Sequence, residues 1–238
     1  MSCPICNAYH EANECAVFQT AAQNLKDLAA EAYQRLRFLV RDGRTFDAVY
    51  DHLYASDKGT WFRWSSSKVG CSVEEVQSLL KDRVYMNVRG EHLMQVWNTL
   101  QPDFIQNDWE VFQAKRCAPH EASSRRDTIV VYTRNRAASW RLLDRLRLMF
   151  ASGRLSRDHF KDETPPGTGK VADLPGIATA AQPHGTESYG EMICSAVATV
   201  WDKKHQTVPE YTFVAMVLRL LMDKGMDPKR PWNQLAAV

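Results

Sequence analysis

No stretch of this 238-residue chain approaches the 18 uninterrupted apolar residues that would read as a membrane span. The N-terminal MSCPICNAYHEANEC has no basic segment ahead of an apolar core, so a cleavable signal peptide is not expected. The net charge is only +2, which gives no overall basic field and no support from bulk charge for a nucleic-acid partner. The six cysteines are unevenly spaced in a chain long enough to bury its own core, so they read as reduced thiols rather than a disulfide framework. There is no internal repeat and no strand–helix–strand rhythm.

Two motifs are incomplete. Pro165-Pro166-Gly167-Thr168-Gly169-Lys170 resembles the end of a phosphate-binding loop, but Thr164 stands where that pattern needs glycine and Val171 where it needs Ser or Thr. No strand precedes it, so no nucleotide is expected. Cys3-x2-Cys6-x3-His10-x4-Cys15 carries ligands suited to tetrahedral zinc, with one residue fewer before the histidine than a zinc knuckle has. The expectation is a frayed N-terminus with Cys15 packed on the first helix, and neither a metal nor a cofactor.

Hydrophobic content of 45% and charged content of 24% are those of an ordinary globular chain. Helical periodicity runs over residues 11–42, with Gly43 as C-cap, and a short helix is expected at 44–54. Residues 55–70 read as irregular, with Trp61, Phe62 and Trp64 to be packed somewhere. Ser72-x-x-Glu75 is a capping box for a helix running to Lys81. Arg83–Val88 alternates as a strand, with Val84, Met86 and Val88 on one face and Arg83, Tyr85 and Asn87 on the other. Glu91–Leu100 reads as a helix stopped by Pro102, and residues 136–151 as a helix with Trp140, Leu143, Leu146 and Phe150 inward. Residues 152–188 read as the loosest segment. Two closing helices are expected, one from Glu187 to Lys203 and one from the box Thr207-x-x-Glu210 to Gly225. Helices outnumber centrally placed strands, which predicts an α+β fold: a small antiparallel sheet flanked by helices, predominantly helical. The expected division is an N-terminal helical region, residues 1–80, packing on an α+β core, residues 81–238, in one compact domain overall.

The stretch from Trp109 to Arg134 reads as two strands joined by a polar turn, the first ending on Lys115 and the second starting at Arg125, Arg126 and Asp127. Gln113 and Lys115 share a face. On the return strand Arg126, Thr128, Val130 and Tyr132 share one face, and Arg125, Asp127, Ile129 and Val131 the other. Either register brings a guanidinium near the lysine. Such a cluster suits an anion, while a solvated strand edge with Asp127 pairing an arginine is the plainer reading of the same residues.

The order of several blocks resembles the HrmA-type Hop effector family of plant-pathogen type III secretion. The blocks are Arg83-Val-Tyr-Met-Asn-Val, Glu91-His92, the lysine-ended strand and Arg126-Asp127-x-x-Val130-Val131-Tyr132. Thr164-Pro165, Lys170, Pro175-Gly176-Ile177-Ala178, Pro183, Glu187-Ser188-Tyr189-Gly190 and Gly225-Met226-Asp227-Pro228-x-Arg230-Pro231-Trp232 follow. The resemblance covers about residues 80–233 and extends to lyase components of class V lanthipeptide and thioamitide biosynthesis. It implies β-elimination of phosphate from phosphothreonine or phosphoserine of a protein or peptide, without a metal or nucleotide. On that implication Lys115 is the candidate base, since a lysine crowded by other cations gives up its proton more readily. Arg126 and Arg125 clamp the phosphate, Asp127 orients one of them, and Arg83, Arg134 and Lys170 add charge. His92 is the candidate acid, with Tyr132 and Tyr189 as alternatives. A non-catalytic effector binding a phosphorylated or acidic host protein is the alternative. The implied setting is the bacterial cytoplasm followed by delivery into a host cell, which leaves room for a secretion chaperone. No nucleic-acid or membrane partner is implied.

Overall fold

The computed structural model describes residues 3–8, 11–39, 61–66, 82–181, 189–204 and 208–230. The expected cap at Gly43, the helix at 44–54, the Ser72–Lys81 helix, and His10, Pro183, Glu187, Ser188, Thr207, Pro231 and Trp232 lie outside the described residues. The helices and strands, in chain order, are α1 (Ala16–Thr20), α2 (Gln23–Leu39), β1 (Trp61–Ser65), β2 (Asp82–Met86), α3 (Leu93–Gln106), β3 (Val111–Cys117), β4 (Ile129–Thr133), α4 (Arg136–Ala151), β5 (Gly169–Lys170), β6 (Ile177–Ala181), α5 (Tyr189–Lys204) and α6 (Glu210–Asp223). The fold is α+β, as expected. The chain divides into two units, one of residues 1–57 with 183–238 and one of residues 58–182. The boundary expected at residue 80 falls outside the described residues.

The first unit is helical. The periodicity expected to make one helix over 11–42 is divided between a 3-10 turn at Ala12–Glu14, α1 and α2. The break is at Ala21, whose extended backbone (φ −62°, ψ 147°) lets the next residue, Ala22, donate its N–H to Pro228 O at 2.8 Å. From there Leu25, Leu28, Ala29, Ala32 and Leu36 recur at three- and four-residue spacing and are buried. Tyr33 packs on Trp201 and Phe213 with ring centroids 5.7 and 5.1 Å away, and donates its hydroxyl to Val208 O at 3.1 Å.

The second unit holds a six-stranded antiparallel sheet in the order β1-β3-β4-β2-β6-β5. Its strands alternate, so Val84 and Met86 of β2, Ala114 of β3, and Ile129 and Val131 of β4 share one face. That face joins Leu93, Val96, Trp97, Leu100 and Phe104 of α3, and Leu142, Leu143, Leu146 and Met149 of α4, in one apolar core. Each such side chain contributes roughly 1.5–3 kcal/mol by leaving water.

Three expectations are corrected by this core. Pro102 does not stop α3, which runs on to Gln106. A proline inside a helix costs about 3 kcal/mol. Here Phe104, two residues further on, is fully buried and lies 5.8 Å from Trp64 and 6.0 Å from Trp97, centroid to centroid, which offsets the cost. Trp140 is not inward but 52% exposed, because α4 turns Leu142, Leu143, Leu146 and Met149 to the sheet. Two residues are about 200° of helix, which puts Trp140 on the far side from Leu142. Trp61, Phe62 and Trp64 are not irregular but form β1, paired with β3.

A buried carboxylate anchors this layer. Glu110, just before β3 and 1% exposed, accepts from Arg145 Nη1 at 2.9 Å and pairs with Arg141, while Arg145 Nε reaches Asp103 of α3 at 2.9 Å. A carboxylate this buried persists only because two guanidinium groups compensate it.

The segment expected to be loosest is built into the sheet up to Ala181. Leu155, Phe160 and Leu174 are buried, Val88 and Phe160 form an antiparallel bridge, and β5 and β6 extend the sheet past β2. The turn between them brings Gly176 (φ 63°) against two backbone carbonyls: an added Cβ there would stand 2.2 Å from Lys161 O and 3.1 Å from Asn87 O.

Asp82, 4% exposed at the start of β2, has its carboxyl pushed up to about 6 from 3.8 by burial, with Arg136 at 3.6 Å opposing the shift. An acid whose folded pKa is raised binds protons more tightly folded than unfolded. Stability from this group therefore falls as pH rises from 3.8 to 6, by about 3 kcal/mol in total. Asp82→Asn lacks that titration, so its stability relative to the parent should rise by about 2 kcal/mol between about pH 4.5 and about pH 7.5. Urea unfolding at the two pH values measures this, and a difference that does not change with pH would refute it.

Candidate functional site

The face of the sheet opposite α3 and α4 carries a row of residues in register. Strand pairing sets Arg63 beside Lys115, Lys115 beside Val130, Val130 beside Tyr85, Tyr85 beside Ala178, and Ala178 beside Lys170. The neighbouring row runs Ser65, Gln113, Tyr132, Arg83 and Ala180. Of the two faces of the return strand that the sequence left open, the one bearing Val130 and Tyr132 is therefore the one that Lys115 shares.

Around Lys115 the groups converge. Its ammonium lies 4.0 Å from the centre of the Trp61 ring, and the guanidinium carbon of Arg125 lies 4.3 Å from the centre of the same ring. Arg125 is 4% exposed, and its Nε donates to Asp127 Oδ1 at 3.1 Å. Further along the face, Arg83 sits 5.0 Å from the Tyr132 ring centre. Burial pushes the Tyr85 hydroxyl above its ordinary value, Arg83 pulls against that, and Tyr132 and Asp127 add to it. A single aromatic ring thus gathers two cations, and Arg83 and Tyr85 of β2 stand two strands from Lys115, about 10 Å at ordinary strand spacing.

The second strand of the expected hairpin starts at Ile129, not Arg125, and β3 runs to Cys117, past Lys115. Arg125, Arg126 and Asp127 therefore lie in the connection rather than alternating along a strand. Lys161 holds that connection. Its Nζ donates to Ala122 O at 2.6 Å and to Ser123 O and Arg125 O, both at 3.4 Å. Burial lowers the Lys161 pKa, the strongest of the influences on it.

The other expected site residues are dispersed. Arg126 is 53% exposed and pairs with Glu163 at 3.4 Å. Arg134 is exposed beyond the far end of β4 from Arg125. Lys170 is exposed on the edge strand β5, four strands from β3 or about 19 Å by strand spacing. His92 closes the 3-10 turn before α3, its ring 4.8 Å from that of His159. His159 accepts the Ser156 N–H on Nδ1 at 3.2 Å, and its pKa is lowered by burial and then by His92. Tyr189 opens α5, buried, in the other unit. Sequence reasoning missed Trp61, which sits in a polar stretch, Tyr85, whose alternation marked its face but not its role, and Lys161, which carried no signal at all.

Among the described residues, no helix is long and apolar enough to cross a membrane. No curated protein matches the chain. Two solved structures share its fold. One, the effector protein from Pseudomonas syringae pv. tomato strain DC3000, aligns with a TM-score of 0.64 at 14% identity, covering 93% of this chain and 100% of its own. The other, the effector protein from Pseudomonas syringae pv. syringae strain 61, aligns with a TM-score of 0.65 at 13% identity, covering 91% and 99%. Residues 73–232 match the HopA1 effector protein family, a span that includes every strand of the sheet except β1. With two thirds of its length matched, the chain belongs to the HopA1 effector protein family.

Proposed function

We propose that this chain is an effector delivered into a host cell, where it removes phosphate from phosphothreonine or phosphoserine of a protein or peptide by β-elimination. The observation that carries the reading is the convergence of Lys115 and Arg125 on the Trp61 ring, with Asp127 bound to Arg125. The relation to class V lanthipeptide lyases is part of the same proposal. In the reaction, the amine of Lys115 takes the Cα proton. That C–H electron pair becomes the Cα=Cβ double bond, the Cβ–O bond breaks, and phosphate leaves with the bonding pair. The products are a dehydro residue and inorganic phosphate, so the step balances without a co-reactant.

Arg125 binds the phosphate, and its pairing with Asp127 fixes the direction of the guanidinium fork. Arg83 adds positive charge along the same face. Phosphate is a stable anion, so cations carry more of its departure than an acid does. Tyr85, which holds its proton tightly, is assigned a hydrogen bond rather than a proton transfer. His92, in the 3-10 turn before α3 beside His159, is given no part in the proposed reaction. Arg126, Arg134 and Lys170, at the margins of the sheet, are assigned to contacts with the surrounding peptide.

Incubation with a phosphothreonine peptide followed by mass spectrometry tests the reading. The expected product is lighter by phosphoric acid, about 98 Da, whereas hydrolysis would remove about 80 Da. Hydrolysis alone would make the protein a phosphatase and end the lyase reading. The second reading is an effector that only binds a phosphorylated or acidic host protein, since two cations on the Trp61 ring suit an anion whether or not it reacts. Binding of the peptide without any mass change would support it.

A further inference from the structure

We propose that Cys3, Cys6 and Cys15 bind one zinc ion, which ties the loop of residues 3–8 to the start of α1 in a cluster packed against α6. The sulfur atoms of the three residues all lie within 4.8 Å of one another. Tetrahedral zinc at about 2.3 Å from each thiolate would place the sulfurs roughly 3.8 Å apart, so a shift of about 1 Å or less closes the site. The five described cysteines form no disulfide.

The backbone makes a second, independent case. Residues 3–8 form a tight loop in which Cys3 N–H donates to Ala8 O at 2.8 Å and Asn7 N–H to Cys3 O at 2.9 Å. Asn7 takes φ 60°, the one positive φ at a non-glycine among the described residues. This left-handed position turns the chain back just after the second cysteine. The turn thereby brings the sulfurs of Cys3 and Cys6 to one side of the loop, within reach of a single cation. Cys15 contributes from a different element. It stands at the N-cap of α1, yet its side chain makes no capping bond there, and its sulfur joins the other two instead.

The packing indicates what the ion would hold. Cys3, Ile5, Ala12, Cys15 and Ala215 form a small buried cluster of their own, with Val17, Phe18 and Met222 against it. Ile5 O accepts from Arg219 Nη1 of α6 at 3.0 Å, and Tyr211 of α6 donates to Glu11 at 2.9 Å. Few apolar side chains hold this segment, and a metal supplies the rest, as it does in other small clusters. The proposal sets a three-thiolate centre where the sequence led to no metal being expected. His10, the fourth member of the sequence pattern, lies outside the described residues.

The test uses the full chain purified under reducing conditions without chelator. Atomic emission should find about one zinc per chain, and cobalt exchanged into the site should show the charge-transfer absorption of thiolate ligands. Cys3→Ser and Cys6→Ser should each lower the metal content at least about tenfold. Should either variant fail to fold, the cobalt spectrum of the parent decides alone. Parent protein with less than about a tenth of an equivalent of zinc would overturn the site. So would full zinc retention in Cys3→Ser, or a Cys3–Cys6 disulfide in peptide mapping of the reduced-state preparation.

Discussion

Lys115→Ala is expected to reduce phosphate elimination by about a thousandfold or more, with peptide affinity changed by no more than about threefold. The size follows from the role: a positioned base contributes about 10²–10⁴ in rate, and no other described amine reaches the Trp61 ring. The affinity should survive because Arg125, held by Asp127 and by the Lys161 clamp on its loop, still presents its charge. Lys115→Arg is the sharper companion. It keeps a cation on the ring but supplies a group that does not deprotonate, so it should bind the peptide and fail to turn it over. The fold should tolerate both, since losing the cation–π contact costs about 0.5–1 kcal/mol. Single-turnover rates together with binding of a phosphothreonine peptide separate the two effects. A Lys115→Ala protein that retains more than about a tenth of the parent rate is not missing its base, and the assignment falls.

Gly176→Ala is expected to lower stability by about 3–5 kcal/mol. Two costs add. An alanine held at φ 63° costs about 1–2 kcal/mol by itself, and its Cβ would stand 2.2 Å from Lys161 O. That oxygen belongs to backbone and cannot swing aside. The residues involved are also tied together, Asn87 N–H donating to Gly176 O and Lys161 N–H to Asn87 O, both at 2.8 Å. Any shift that relieves the clash lengthens these bonds and displaces Lys161, whose ammonium pins the loop carrying Arg125. A drop in Tm on the order of 10 °C is therefore expected, with phosphopeptide affinity lost alongside it. A Tm within about 2 °C of the parent would show that the turn relaxes freely and that the crossing is not rigid.

The same crossing shows what could be read in the chain beforehand. Pro175-Gly176-Ile177-Ala178 stood out as a block within a segment that otherwise reads as loose. Glycine and proline mark turns whatever surrounds them, but nothing local says that Asn87 and Lys161 will press against the glycine. The helices met a similar limit. Periodicity placed α4 at 136–151 but put Trp140 on its inner face, because the stripe of Leu142, Leu143, Leu146 and Met149 that meets the sheet is chosen by the sheet. Pro102 reads as a stop, and only the buried Phe104 carries α3 beyond it.

For the candidate site, the amino-acid order alone determined the faces. Side chains alternate along any strand, so Gln113 and Lys115 had to share a side, as did Val130 with Tyr132 and Arg83 with Tyr85. It also determined the α+β class and, through blocks in a recognisable order, the effector family. Which arginine meets Lys115 was left to the tertiary structure. Alternation cannot cross the connection from Ala118 to Thr128, where the backbone leaves the sheet. The choice of Arg125 over Arg126 rests on Lys161, some 36 residues downstream, and on Trp61, more than 50 residues upstream of Lys115. Contacts across such separations are set by how strands and loops pack, and no local pattern of residues encodes them.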